Sequence, residues 1–174
     1  FVIATQNPVE QEGTFALPEA QRVRFMIKSS MGYPERDGEL ELLDRRASRT
    51  ARAPSVGPMV DPETVRDLQE VPESVTVERK VREYVVDLGR ATRRDERVEV
   101  GVSPRGIQRL FEAVRAYAAI AGRDYVVPDD VKQVADAVFA HRLVLTAESS
   151  VRSVSKRRVL EDVLDRVEVP TVDE

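Results

Sequence analysis

From residue 61 onward, apolar side chains recur every three or four positions, which is the spacing of amphipathic helices. Asp61 and Ser103 each precede a proline and supply the side-chain oxygen that favours a helix start. Gly122 suits the left-handed conformation that often ends a helix. In the first of these helices, Val65 and Leu68 are expected to face the core. The predicted helices cover about 61–71, 77–91, 103–121, 129–139 and 160–167. Five such helices in sequence predict a small bundle.

The amino-terminal part has a different pattern. Residues 1–4 form an apolar run without alternation, and the polar group 5–7 and Pro8 end it abruptly. A short helix is predicted over 18–25, followed by a second apolar strand over 25–27. In an open parallel sheet, polar residues just beyond the carboxyl end of a strand lie where ligands bind. The pattern therefore predicts two strands of an α/β fold.

The two patterns divide the chain. Residues 1–46 are predicted to be the α/β part, ending in a short amphipathic helix over 35–46. The turn-rich stretch 47–60 is predicted to be a linker, and 61–174 the helical domain. The charge-rich stretch 90–97 is interpreted as a solvated loop.

Residues 4–14 read Ala-Thr-Gln-Asn-Pro-Val-Glu-Gln-Glu-Gly-Thr, and Leu-Pro-Glu-Ala-Gln at 17–21 and Arg24-Phe25 follow. These stretches closely resemble the MoxR branch of the AAA+ ATPases, and the similarity continues almost to the carboxyl end. The resemblance implies the later part of an ATPase module. Its fold class would be an α/β remnant of a P-loop AAA+ core with two strands, followed by an all-α helical-bundle lid domain.

Asn7 is the first candidate site residue. A polar side chain at a strand end can orient the water that attacks ATP, and the resemblance implies the catalytic role called sensor 1. The alternative is that Asn7 only caps the turn before Pro8.

Arg24 is the second candidate. The resemblance implies an arginine finger, a guanidinium that reaches the nucleotide of a neighbouring subunit. Family members usually have an acid before this arginine, whereas Val23 stands here, which can alter the orientation of Arg24. Arg22 is a rival for the role, and the plain structural alternative is a surface pair with Glu19 or another acid.

Arg105 is the third candidate. It falls in the first turn of a helix, where the helix dipole disfavours a cation unless an anion lies nearby. The resemblance implies sensor 2, the lid residue that touches the γ-phosphate. A solvated surface charge is the alternative.

Composition excludes several other kinds of site. The chain has no cysteine and a single histidine, His141, which leaves no disulfide framework, thiolate metal site or histidine cluster. We predict no metal ligand in this chain. A net charge of -4 argues against general nucleic-acid binding. No apolar run is long enough for a membrane span.

Two ATPase motifs are missing from the sequence. No Gly-x-x-x-x-Gly-Lys-Ser/Thr occurs, since none of the eight glycines precedes a lysine, and no apolar strand ends in paired acids that could hold Mg²⁺. In a complete family member both motifs would lie upstream of Phe1. The chain thus resembles a fragment that is inactive alone and that contributes to a site for ATP and Mg²⁺.

The resemblance also implies a cytoplasmic homo-oligomeric ring of six subunits. Such a ring would use ATP to remodel or activate client proteins, including partners with von Willebrand factor A domains. Two other interpretations stay open. One is a stand-alone helical interaction module without a nucleotide role, and the other is a nucleic-acid or chelatase-type AAA+ motor.

Overall fold

A computed structural model describes residues 2–6, 18–49 and 57–171 of the chain. Within them lie eight α-helices. Two 3₁₀ turns, Val71–Ser74 and Ala140–Arg142, follow the third and sixth helices. The helices are α1 Glu19–Arg22, α2 Arg36–Ala47, α3 Pro62–Glu70, α4 Arg79–Arg94, α5 Pro104–Ile120, α6 Pro128–Phe139, α7 Ala147–Val151 and α8 Lys156–Arg166.

The hydrophobic core lies between α4, α5, α6 and α8, so the predicted helical bundle is confirmed. Each helix contributes one apolar stripe, and Leu88, Leu110, Phe139 and Leu160 are among the largest fully buried side chains. Full burial of such a side chain stabilises the fold by about 1.5–3 kcal/mol. The predicted helix periods therefore identify the elements that carry the core.

The helix-end signals predicted at Asp61, Ser103 and Gly122 are also confirmed, whereas α4 ends three residues later and α8 begins four residues earlier than predicted. The Asp61 carboxylate accepts a hydrogen bond from the Thr64 amide at 2.8 Å, and the Ser103 hydroxyl accepts one from the Gly106 amide at 3.3 Å. Gly122 has a φ of +75° just after α5, a conformation that a side chain disfavours. These local signals set where α3 and α5 begin and where α5 ends.

Two short antiparallel strands, β1 Val98–Val100 and β2 Val144–Leu145, pair across the bundle. Val98 lies opposite Leu145 in this pairing. Just after β1, the Val102 amide donates to the Thr92 hydroxyl at 3.0 Å, and its carbonyl accepts from Arg93 Nε at 2.6 Å. These bonds to α4 fix the backbone that leads into α5.

The two strands predicted at 1–4 and 25–27 do not form in the described residues. Residues 2–6 and 27–28 have no regular secondary structure, and Phe25 and Met26 lie in a bend. A strand needs a neighbouring strand to accept its backbone hydrogen bonds. Here the carbonyls of Phe25 and Met26 instead accept from the Arg142 side chain.

The inward orientation predicted for α3 is wrong. Val65 is 38% exposed and Leu68 60% exposed. In α2, which forms as predicted, no residue is buried. A helical period shows which face is apolar, whereas burial requires another element to cover that face. The linker predicted over 47–60 includes 50–56, which lie outside the described residues.

The stretch 90–97 is not a solvated loop. α4 continues to Arg94, and the carboxylate of Asp95 is almost fully buried. It accepts from Arg97 Nε at 2.8 Å and from Arg166 at 2.6 Å, while Arg97 also reaches Asp162 at 2.6 Å. This ion-pair network joins the end of α4 to α8.

Candidate functional site

Arg24 lies in the turn that follows α1. Its amide donates to the Gln21 carbonyl at 3.1 Å, and the Phe25 amide donates to the Arg22 carbonyl at 3.2 Å. The Arg24 side chain is exposed and forms no ion pair with any side chain that the structure describes. The side chain of Glu19, its alternative partner, lies outside the described residues. A held backbone with a free guanidinium is what an arginine finger requires.

Arg22, the rival to Arg24, has a different environment. Its side chain is half-buried, with Nε inaccessible to solvent and without a hydrogen-bond partner. Its charge is close enough to His141 to help lower the pKa of that imidazole. Arg22 therefore lies against the protein, whereas Arg24 faces solvent.

Two buried residues, His141 and Arg142, hold the segment around Arg24 on the end of α6. Arg142 Nη2 donates to the Phe25 carbonyl at 2.8 Å and to the Val23 carbonyl at 3.3 Å. Arg142 Nη1 donates to the Met26 carbonyl at 3.2 Å and also to the Val138 carbonyl. The hydrogen bonds to Val23 and Phe25 fix the backbone on both sides of Arg24.

Further contacts complete this attachment. His141 Nε2 lies 3.1 Å from the Phe25 carbonyl oxygen and 2.5 Å from Arg142 Nη1. Nε2 donates to the carbonyl in one imidazole tautomer and accepts from Arg142 in the other. The Lys28 amide donates to the Ala137 carbonyl at 2.9 Å. Residues 23–28 are thus bonded to 137–142 through both side chains and backbone.

Burial is the main cause of the pKa shifts of His141 and Arg142. It lowers the pKa of His141 to about 4, with a further contribution from the Arg142 charge, so the imidazole is neutral at pH 7. Burial, together with the nearby charge of Arg109, lowers the pKa of Arg142 to about 10. Arg142 therefore still carries its charge at neutral pH.

Arg105 occupies the first turn of α5, as predicted. Its side chain is exposed and, within the described part of the chain, has no ion-pair partner. One turn further along α5, Arg109 pairs with Glu112 at 2.6 Å. Arg105 is a cation beside the positive end of a helix dipole, a position that an anionic ligand would stabilise.

The start of α5 packs directly on Arg142. A Cβ atom added at Gly106 would lie 3.1 Å from Cδ of Arg142 and 2.6 Å from Cγ1 of Val102. Glycine at position 106 therefore permits the Arg142 side chain to approach the backbone of α5 closely. Arg142 touches the residue after Arg105 with its aliphatic stem, and the backbone around Arg24 with its guanidinium. The structure thereby connects two of the three predicted site residues through one side chain.

The third predicted residue, Asn7, lies outside the described residues, and its role stays a prediction. Val23, where an acid is usual, uses its carbonyl to accept from Arg142. No group of three acidic or histidine residues in the described ranges could hold a metal ion, and we assign no metal ligand. No helix among the described residues is long and apolar enough to cross a membrane.

Sequence reasoning missed Arg142. The signal was a His-Arg pair inside the otherwise apolar run 138–145. A charged pair in such a run is unusual, because burial of an ionised side chain is unfavourable unless it is hydrogen-bonded. His141 is a structural residue of the core, since it is only 4% exposed.

Two protein families match separate parts of the chain. Residues 90–163 match the AAA lid domain family. Residues 1–27 match the family described as ATPase family associated with various cellular activities (AAA). The first match contains α5 and α6, and the second contains Arg24.

Similar proteins extend along nearly the whole chain. YeaC of Bacillus subtilis is 38% identical over 170 residues, which cover 98% of this chain and 53% of that protein. Chaperone MoxR1 of Mycobacterium tuberculosis is 37% identical over 182 residues, covering 99% and 48%. The chain spans about half the length of the curated relatives it matches.

A solved structure has the same fold. A crystal structure from Cytophaga hutchinsonii, described as a "putative ATPase", superimposes with a TM-score of 0.85 at 32% sequence identity. The match covers 95% of this chain and 53% of that protein. The fold class, an AAA+ core remnant followed by a helical lid, is confirmed, although the two strands predicted for the remnant do not form among the residues that the structure describes.

Proposed function

Because the chain belongs to the MoxR family of AAA+ ATPases, we propose that it contributes the sensing and trans-acting residues of an ATPase site. Residues 1–46 would complete the ATPase core, 47–60 would be the linker and 61–174 the lid. The observation that carries this proposal is the pair of exposed guanidiniums at Arg24 and Arg105. Neither is paired with an acid in the described residues.

The proposed roles follow from what phosphoryl transfer requires. Splitting the γ-phosphate bond needs positioning and positive charge at the transferring group. Arg105 would bind the γ-phosphate from the lid of its own subunit, as sensor 2. Arg24 would stabilise the transition state at a neighbouring subunit's nucleotide, and Asn7 would orient the attacking water as sensor 1. ATP brings Mg²⁺, whose ligands we place outside this chain.

The assembly and the clients are part of the proposal. A trans-acting Arg24 requires a ring of subunits, which we propose to be a cytoplasmic hexamer. Its turnover would remodel or activate client proteins, including partners with von Willebrand factor A domains. The similarity to chaperone MoxR1 supports a chaperone-like role. We propose that the chain alone is inactive.

Steady-state ATP turnover by the complete subunit tests the two arginines. Arg24→Ala should lower kcat by about 10³-fold or more, the scale of arginine fingers in related phosphoryl-transfer enzymes, with little change in KM. Arg105→Ala should impair nucleotide binding as well as turnover. The matched control is Arg152→Ala, which removes only an exposed pair with Glu148. Turnover that survives both substitutions would contradict the proposal.

A further inference from the structure

Arg142 is a buried cation whose bonds go to neutral partners. Its side chain donates to the carbonyls of Val23, Phe25, Met26 and Val138 and contacts His141, and it is 6% exposed. No ion pair in the described part of the chain includes it. Arg97, by contrast, is held by the carboxylates of Asp95 and Asp162.

Burial of a charged guanidinium is energetically unfavourable. A buried charge is often less stabilising than well-packed apolar side chains of the same volume. Its fixed planar fork, however, can hold several acceptors in one geometry, which an apolar side chain or a lysine cannot do. Three of the four carbonyls that it holds lie within two residues of Arg24. Arg142 therefore fixes the place from which the Arg24 side chain projects.

The same side chain also packs closely against the start of α5. A Cβ atom added at Gly106 would lie 3.1 Å from Cδ of Arg142, a tighter contact than most side chains make. The charge of Arg109, on the next turn of α5, acts on its guanidinium. A displacement of this helix end therefore moves Arg142, and with it the carbonyls on both sides of Arg24.

We propose that Arg142 is a positioning residue that couples Arg105 to Arg24. This inference rests on the proposed function. Binding of a phosphate by Arg105 in one subunit fixes the position of the start of α5, and Arg142 thereby fixes the position of Arg24. Arg24 then acts on the nucleotide of the neighbouring subunit. The nucleotide site of each subunit thus responds to the nucleotide bound by the subunit that supplies its Arg24.

A double-mutant cycle on the complete ATPase tests this coupling. Arg142→Lys keeps the charge but cannot bridge carbonyls on both sides of Arg24. It should lower kcat by about 10- to 100-fold, the scale of a small misplacement of a reacting group, with KM changed less than kcat. Because Arg142 acts through Arg24, the double variant with Arg24→Ala should be no slower than Arg24→Ala alone. Arg97→Ala, which breaks a partly buried network elsewhere, should leave kcat near wild type.

Hydrogen exchange on the same proteins supplies a readout independent of turnover. Arg142→Lys should speed exchange of the amides of Phe25 and Lys28 by at least tenfold and leave α8 unchanged. Arg97→Ala should do the reverse, since its partner Asp162 lies in α8.

The outcomes separate the two proposals. If Arg24→Ala leaves turnover unchanged, the trans-acting role that the proposed function gives to Arg24 fails. If Arg24→Ala abolishes turnover but Arg142→Lys does not lower it, or the two losses multiply in the double variant, the coupling fails. Loss of ring assembly in Arg142→Lys would show a purely structural role and would also overturn the coupling.

Discussion

The three arginines on which the account depends occupy two kinds of environment. Arg24 and Arg105 are exposed and, among the described residues, unpaired, whereas Arg142 is buried among carbonyls. Exposed guanidiniums can bind a phosphate that arrives from elsewhere, since their charge is not already neutralised. A buried one can only act on its fixed neighbours. The difference in burial thus separates the two residues that we propose touch ATP from Arg142, which we propose positions Arg24.

His141 gives a pH prediction at the same scale. Its pKa is about 4 in the folded protein, against an ordinary value of 6.5. Above pH 6.5 the imidazole is neutral whether the chain is folded or not. As the pH falls from 6.5 to 4, the unfolded chain takes up a proton that the folded protein rejects. The free energy of unfolding should therefore fall through this window, by about 2 kcal/mol between pH 7 and pH 5.

Denaturant unfolding at these two pH values measures the effect. In His141→Gln this part of the pH dependence should be absent, because no group at position 141 titrates. Equal pH dependence in the wild type and the variant would show that His141 is not held neutral.

The position of Arg105 in the first turn of a helix could be predicted from the sequence, whereas the contacts of Arg142 could not. The Ser103-Pro104 start signal is local, so the helix end and its first turn could be located from neighbouring residues. The role of Arg142 depends on carbonyls more than 110 positions away along the chain. No local pattern identifies those acceptors.

Among the elements, α4 and α8 are joined by the Asp95 network. Hydrogen bonds from Arg97, more than from Arg166, hold the pKa of Asp95 well below its usual range, despite its burial. Asp95→Asn leaves the guanidiniums of Arg97 and Arg166 without that carboxylate. We expect the free energy of unfolding to fall by about 2–3 kcal/mol, between the values for surface and buried ion pairs.

Thermal or denaturant unfolding of Asp95→Asn checks this value. The control is Glu148→Gln, which removes an exposed pair with Arg152 and should change the free energy of unfolding by less than about 0.5 kcal/mol. Equal effects of the two substitutions would contradict the structural role of the network.

The elements also show which parts of a fold a sequence can predict. α4, α5, α6 and α8 were predictable because period and end signals agree over several turns. β1 and β2 were not, since strands of three and two residues carry no usable alternation. The exposure of Leu68 could not be predicted either. An apolar stripe does not reveal whether anything covers it.

At the scale of the whole molecule, two distant parts of the sequence form one unit. The segment 23–28 is bonded to 137–142, and these lie in the two separate family matches, 1–27 and 90–163, apart from Lys28. A residue from the core side of the ATPase module is therefore carried on the lid domain. In the ring that we propose, this arrangement would let the lid of one subunit present Arg24 to its neighbour.

Mixing of two inactive subunits tests that central claim most directly. One complete subunit carries Arg24→Ala, and the other lacks the phosphate-binding lysine of the core but keeps Arg24. Mixed rings should recover ATP turnover, highest near equal proportions, because some interfaces then combine an intact nucleotide site with an intact Arg24. Turnover that stays at the level of the separate variants, in rings shown to contain both subunits, would contradict a trans-acting Arg24.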